Sequence, residues 1–332
     1  MLAMKLRILT AQDINQALSM AQAVEAMKAA YRELSLGRAV MPLRSRLPVE
    51  RAGGVTLLMP ALVEPSGDMA VKLVSVFPGN PALGLPTIHA VVVVFDAQTG
   101  QPVALLEGGA LTALRTGAGS GAATDVLARA DARSVAIFGS GVQARTQLLA
   151  VCAVRSIERA MIYSPDSAHA ERLAGELAGT NAVTARIELA ASPEAALDGA
   201  DIVCTATSSH TPVFPGRALA RGTHINAVGS YTPEMQEVDE TTLQRARVYV
   251  DSRSAALEEA GDLLVPIEQG KWSVESMIGE IGQVLAGDVK GRTSPDDITY
   301  FKSVGVAVQD AVAAGRALKA AEAAGLGQVV EL

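Results

Sequence analysis

Cysteine is nearly absent from this chain. The two that occur, Cys152 and Cys204, lie in a helix-like and a strand-like stretch and read as small buried hydrophobes rather than as a disulfide. Histidine is also scarce, at four residues, and no C-x-x-C or H-E-x-x-H spacing occurs, so no metal site is expected. A basic surplus is missing too. The net charge of -7 offers no basic stripe to phosphates, which excludes nucleic acid as an expected partner. No apolar run near a terminus approaches the roughly 20 residues needed to span a bilayer, so a membrane partner is not expected. No signal peptide is expected ahead of "MLAMKLRILTAQD", and the expected location is the cytoplasm. Internal repeats, low-complexity tracts and disorder signals are likewise absent.

What the chain does have is length and apolar content, 332 residues at 49% hydrophobic, enough for two ordinary cores. Its most informative stretch is "SVAIFGSGVQARTQ" at 134–147. "SVAIF" reads as a strand buried on both faces, and it runs into G-x-G-x-x-A at 139–144. In such a turn Gly139 permits the tight bend, Gly141 lets backbone approach a pyrophosphate, and the small Ala144 lets the next helix pack close. The helix "VQARTQLLAVCAV" then points free N–H groups at an anion. After it come the strand candidates "RAMIYSP", "ARIELA", "DIVCTAT", "THINAVGS" and "RVYVDS", with helical stretches such as "SAHAERLAGELAG" between several of them. That alternation predicts a parallel, doubly wound sheet.

The first 130 residues have a different texture. "LTAQDINQALSMAQAVEAMKAAYRELSLGRA" has the apolar spacing of two amphipathic helices, with a cap near Thr10 to Asp13. "GGVTLLMPALVE", "DMAVKLVSVFP" and "TIHAVVVVFDAQTGQPVALLE" then predict antiparallel strands, the last a hairpin turning at Ala97 to Gly100. A helix, "LTALRTGAGSGAATDVLA", leads into the nucleotide fold, and the C-terminal helix "GVAVQDAVAAGRALKAAEAA" is expected to return to the first domain. The expected fold class is therefore α/β, a Rossmann-type doubly wound parallel sheet inserted into an α+β domain, with 1–118 plus 306–332 outside and 119–305 inside. The cleft between them is the default site. Three cations in the outer domain, Arg46, Lys72 and Arg115, sit among apolar or small residues. Together they suit a carboxylate, through the guanidinium fork and a point charge.

"ALRTGAGSGAATDVLARADARSVAIFGSGVQA", "INAVGSYTPEMQEVD", "VYVDSRSAALEEAGDL" and "FKSVGVAVQDAVAA" together resemble the ornithine cyclodeaminase and mu-crystallin family over nearly the whole chain. The resemblance implies NAD or NADP as cofactor, a small imino or amino acid as substrate, and a homodimer made by the outer domain's sheet. It places Arg46, Lys72 and Arg115 on the substrate carboxylate. Lys72 is the proton-handling candidate, since a buried lysine readily shifts its pKa. It places Thr116 by the nicotinamide or phosphates, Gly139, Gly141, Val142 and Gln143 at the pyrophosphate turn, and Val228 and Ser303 near the nicotinamide. Thr205 and Thr207 of "DIVCTAT" join the cofactor set. His89 resembles a histidine of the mu-crystallin branch that borders substrate. The ribose-reading position is Ser164, a neutral residue that permits a 2'-phosphate, so NADPH is favoured over NADH, with Asp166 two residues on.

Two departures from the cyclodeaminase branch narrow the substrate. Where that branch has a glutamate in "VIELMP" for the distal ammonium of ornithine, this chain has Leu57, with Met59 two residues on. Where it has an acid in "GGDCPGK", this chain has Tyr231, which is neutral at pH 7. The expected activity is NAD(P)H-dependent reduction of pyrroline- or piperideine-2-carboxylate, catalysed around Lys72 and Arg115. Alternatives are ornithine or lysine cyclodeamination, alanine dehydrogenation, or small-ligand binding of the mu-crystallin type.

Overall fold

The computed structural model describes residues 4–332. The chain divides into two units, Met1–Arg115 with Ala307–Leu332 and Thr116–Val306. The boundaries thus fall at 115/116 and 306/307, where the sequence reading put 118/119 and 305/306. The first falls inside the helix Gly108–Leu127, where no local signal marks it.

In the first unit β1 (Lys5–Leu9) precedes two helices, Ala11–Ala17 and Met20–Ser35. Each helix opens on a capping box, Thr10 with Asp13 and Ser19 with Gln22, in which side chain and backbone satisfy each other's free amide; such a cap is worth about 1 kcal/mol. A sheet follows: β2 (Ala39–Val40), β3 (Ser45–Val49), β4 (Gly54–Val63), β5 (Asp68–Val76), β6 (Ile88–Asp96) and β7 (Pro102–Glu107). The β6–β7 hairpin turns where expected, with Asp96 Oδ1 accepting from the amides of Gln98 and Thr99.

The second unit carries β8 (Ser134–Phe138), β9 (Arg159–Tyr163), β10 (Arg186–Leu189), β11 (Ile202–Thr205), β12 (His224–Ala227), β13 (Ala246–Val250), β14 (Met277–Glu280) and β15 (Ile298–Lys302). Their order is β10-β9-β8-β11-β12-β15-β13-β14, and every pairing is parallel. The chain reverses direction across the sheet between β8 and β11, the switch point at which ligands of such folds bind. Strands β14 and β15 extend the sheet beyond the expected set. β15 is wholly buried, so its sequence "ITYFK" lacks the alternation that marks a half-exposed strand.

The chain then returns to the first unit as the helix Ala307–Ala324 and β16 (Gln328–Glu331), and the first sheet runs β16-β1-β7-β6-β5-β4-β2 with β3 on β4. It is antiparallel except for β1 beside β7. The helix lies across β4, β5 and β6, and its buried Val308, Ala311, Val312 and Ala314 close the core.

Candidate functional site

Lys72 occupies the middle of β5, with Met59 of β4 directly opposite on one side and Val92 of β6 on the other. Cross-strand partners share a face, so Lys72, Met59 and, two residues along, Leu57 all point toward the helical side of the first sheet. Lys72 is 2% exposed. Its Nζ pairs at 2.7 Å with Oδ2 of Asp310 on the helix Ala307–Ala324. Arg115, also buried, donates from Nε to Oδ1 of the same carboxylate at 3.1 Å and from Nη1 to Gln309 Oε1 at 3.2 Å. Gln309 in turn donates to the hydroxyl of Tyr31 at 2.8 Å. Two cations thus share one carboxylate under an apolar roof.

The electrostatics follow from that sharing. Burial, reinforced by the Arg115 charge, brings the Lys72 ammonium down to a pKa of about 8, even though Asp310 supports its charge. Burial alone would raise Asp310, but Arg115 and Lys72 overcome it and hold the carboxyl below its usual range. Asp310 was not anticipated from the sequence. The signal was available, as a carboxylate inside an otherwise apolar helical run, "VAVQDAVAA".

The third expected cation stays at the surface. Arg46 is exposed on β3, opposite Leu57. Arg44 is half-buried, and it is Arg44 whose charge reaches Lys72 and lowers its pKa. Arg46, opposite Leu57, shares the face of Lys72 but stands two residues further along the sheet, while Arg44 immediately precedes β3. His89 is not brought to this cluster either. It pairs with Ser75, an odd number of residues from Lys72, and therefore lies exposed on the opposite face of the sheet.

In the second unit the turn after β8 has the shape a dinucleotide requires. Gly139 holds φ 112°, and a Cβ there would collide with the carbonyl oxygen of Ala206. Around Gly141 nothing lies within 4 Å of a Cβ position, leaving open space for a pyrophosphate. Gly141 caps the helix Val142–Val154 without any side-chain bond, so the first amides stay available, while Ala144 is fully buried as the close helix packing demands. The residues present fit the cofactor. Val142 is exposed at the turn, Gln143 is half-buried, and Ser140 donates to Ser164 at 3.1 Å. Asp166 caps the helix Ser167–Leu177 through the His169 amide. Thr116 opens this unit half-buried within its helix.

The remaining cofactor candidates sit at the carboxyl ends of the strands. Thr205 and Thr207 both donate their hydroxyls to Glu237 at 2.7 and 2.8 Å. Val228 follows β12, its amide donating to the Thr205 carbonyl at 3.0 Å. Ser303 follows β15 and donates to Asp251 Oδ2 at 2.8 Å; the amides of Val304 and Gly305 bind the same oxygen at 3.0 and 2.8 Å. Tyr231 is 46% exposed on the loop beyond β12.

The chain is similar to known proteins over nearly its whole length. A family model described as the ornithine cyclodeaminase/mu-crystallin family matches residues 4–323. A Delta(1)-pyrroline-2-carboxylate reductase of Bacillus cereus is 38% identical over 325 residues, 98% of this chain and 99% of that protein. The solved Delta(1)-pyrroline-2-carboxylate reductase of Thermococcus litoralis, in complex with NADH and L-proline, superposes with a TM-score of 0.92 at 39% identity, covering 97% of this chain and 99% of the other. An archaeal alanine dehydrogenase dimer with bound NAD gives 0.91 at 32% identity, over 98% and 99%.

Proposed function

The chain belongs to the ornithine cyclodeaminase/mu-crystallin family, and from that premise we propose that it is a nicotinamide-dependent oxidoreductase reducing a small cyclic α-imino acid, pyrroline- or piperideine-2-carboxylate, to L-proline or L-pipecolate. The observation that carries this reading is the Lys72–Asp310–Arg115 cluster beside the apolar pair Leu57 and Met59. A substrate of this class has one carboxylate and an otherwise apolar ring, and the cluster offers it one positive charge in excess. The distal ammonium of ornithine would instead meet Leu57, where desolvating an unpaired charge is costly. Its absence of a partner disfavours cyclodeamination.

When bound, the nicotinamide supplies the hydride for the imine carbon. The chain's own residues do the rest. Arg115 keeps Nε on Asp310 and Nη1 on Gln309, so its Nη2 and the Lys72 ammonium are the groups for the substrate carboxylate, with Arg44 as the third cation in place of Arg46. Reduction consumes a proton at the imine nitrogen. Lys72 Nζ, with a pKa of about 8, holds a proton at neutral pH and releases it more readily than an ordinary lysine.

On cofactor choice, Ser164 presents a neutral hydroxyl and Asp166 is engaged as a helix cap, an arrangement that accepts NADH and favours NADPH. Fluorescence titration in which NADH bound tenfold tighter than NADPH would reverse that preference. On assembly, the open face of the first sheet carries exposed Leu47, Leu58 and Val91, which the register puts on one side, and this apolar face suits a homodimer. Sedimentation as a monomer at micromolar concentration would rule it out.

The activity test follows NAD(P)H absorbance with each imine, with pyruvate plus ammonia, and ammonia release from L-ornithine. Fast oxidation with the cyclic imines and little with the others is expected. Ornithine deamination at a matching rate would overturn the assignment, and binding without any turnover would leave a ligand-binding protein of the mu-crystallin type.

A further inference from the structure

Glu237 is fully buried, and its carboxylate sits between the ends of two neighbouring parallel strands. Oε1 accepts from the Thr207 amide at 2.7 Å and the Thr207 hydroxyl at 2.8 Å, just beyond β11. Oε2 accepts from the Thr205 hydroxyl at 2.7 Å and from the Gly229 amide at 2.8 Å, two residues beyond β12. Each oxygen therefore holds one backbone N–H, and the pair ties the two strand ends together. The fit is close: a Cβ on Gly229 would collide with Glu237 Oε1 and the Thr207 carbonyl oxygen. The segment bearing Glu237 is itself anchored. Its amide and that of Val238 donate to Asp262 Oδ1 at 2.6 and 3.2 Å, and Asp262 Oδ2 takes Lys302 Nζ at 2.9 Å and the Tyr300 hydroxyl at 3.1 Å, both from β15.

The place of this clamp in the sheet gives it meaning. The pyrophosphate turn follows β8, and the ribose-reading Ser164 follows β9 on one side of it. A dinucleotide laid across the switch point with its adenosine half over β9 carries its nicotinamide half over β11 and β12. Those are the two ends that Glu237 holds.

We propose that Glu237 is a positioning residue for the nicotinamide half of the cofactor, fixing residues 205–207 and 228–229 as one rigid floor through a carboxylate that touches neither cofactor nor substrate. This rests on reading the second unit as a nicotinamide dinucleotide domain. Glutamine is the informative replacement, because an amide has one acceptor oxygen, so either the Thr207 or the Gly229 amide must then face an NH2 group. Only the floor is altered. The adenosine side, at Gly139 to Gln143 and Ser164, is untouched.

The test compares NADH with ADP-ribose, which lacks the nicotinamide, by calorimetric titration of the full chain, together with the primary isotope effect from 4-deuterated NADH. For Glu237→Gln we expect NADH to bind about tenfold more weakly, ADP-ribose to stay within about twofold, and the isotope effect to rise as hydride transfer becomes slower. Thr205→Val, which removes one donor and little volume, should shift NADH alone in the same direction by about threefold, and Thr205→Ser should restore it. Unchanged NADH affinity and isotope effect in both Glu237→Gln and Thr205→Val would overturn the proposal. So would equal losses for NADH and ADP-ribose, which mark a merely structural role. A wild-type chain that bound neither ligand would instead overturn the parent reading.

Discussion

Each of the two units buries a cluster of charges, and the two are wired in opposite senses. In the first, Lys72 and Arg115 share the carboxylate of Asp310; in the second, Glu237 and Asp262 lie around the ammonium of Lys302. The second cluster is closed. Glu237 receives four donors and Asp262 receives four, from backbone amides, hydroxyls and Lys302. The first sets two cations, Lys72 and Arg115, against the single carboxylate of Asp310. A buried carboxylate whose oxygens are filled by backbone amides and hydroxyls organises backbone, whereas two cations on one carboxylate suit a second anion. Both are buried to the same degree, so burial alone would not have told them apart.

The comparison can be broken most forcefully at the closed cluster. Lys302→Met leaves two buried carboxylates without their ammonium, which should lower stability by about 3–5 kcal/mol, a fall in Tm on the order of 10 °C in a thermal melt. Arg115→Ala should instead act on function, lowering kcat/KM for the imine by about 2–5 kcal/mol of transition-state binding while NADH affinity measured by titration is retained. An Arg115→Ala protein with normal turnover would place the excess charge elsewhere.

Asp310→Asn sharpens the contrast through pH. In the proposed reduction Lys72 acts in its protonated form, so reductive kcat/KM should hold below about pH 8 and fall as pH rises through that value. Asp310 supports the charged ammonium, so its neutralisation lowers the lysine further, and the alkaline limb of the profile should move to lower pH by about one unit. A limb that stayed in place would detach Asp310 from Lys72. The smallest effect is expected from Leu57→Glu. The new carboxylate would occupy part of the excess charge, and KM for the imine should rise roughly fivefold, about 1 kcal/mol, with kcat little altered.

Sequence alone exposed the parts whose signal is local. The turn at Gly139 to Ala144 announces itself because a positive φ and a close approach both demand glycine, and Lys72 and Arg115 stand out as cations in apolar runs. The partners of those cations are distant. Asp310 lies 195 residues from Arg115, and Glu237 and Asp262 read as ordinary surface acids until the fold closes over them. In "MPLRSRLP" two arginines lie two residues apart, and nothing in the sequence tells the half-buried Arg44 from the exposed Arg46. Thr205 and Thr207 are expected beside the cofactor, and in the structure their hydroxyls turn inward to Glu237. The short strands β1, β14 and β16 carry too few residues to show a period.

The first unit's discontinuity also governs the order in which the ribosome delivers it. The cations Lys72 and Arg115 leave the exit tunnel early, but the helix bearing Asp310 emerges only after the whole of Thr116–Val306. At about 5–20 residues per second, the 195 residues between Arg115 and Asp310 take about 10–40 s to synthesise, long enough for the intervening unit to settle first. Throughout that interval the apolar face of β4, β5 and β6 that this helix will cover stays open on the nascent chain. It is therefore the surface on which chaperones should act. Chains arrested before residue 307 would carry Lys72 and Arg115 without the carboxylate that pairs them.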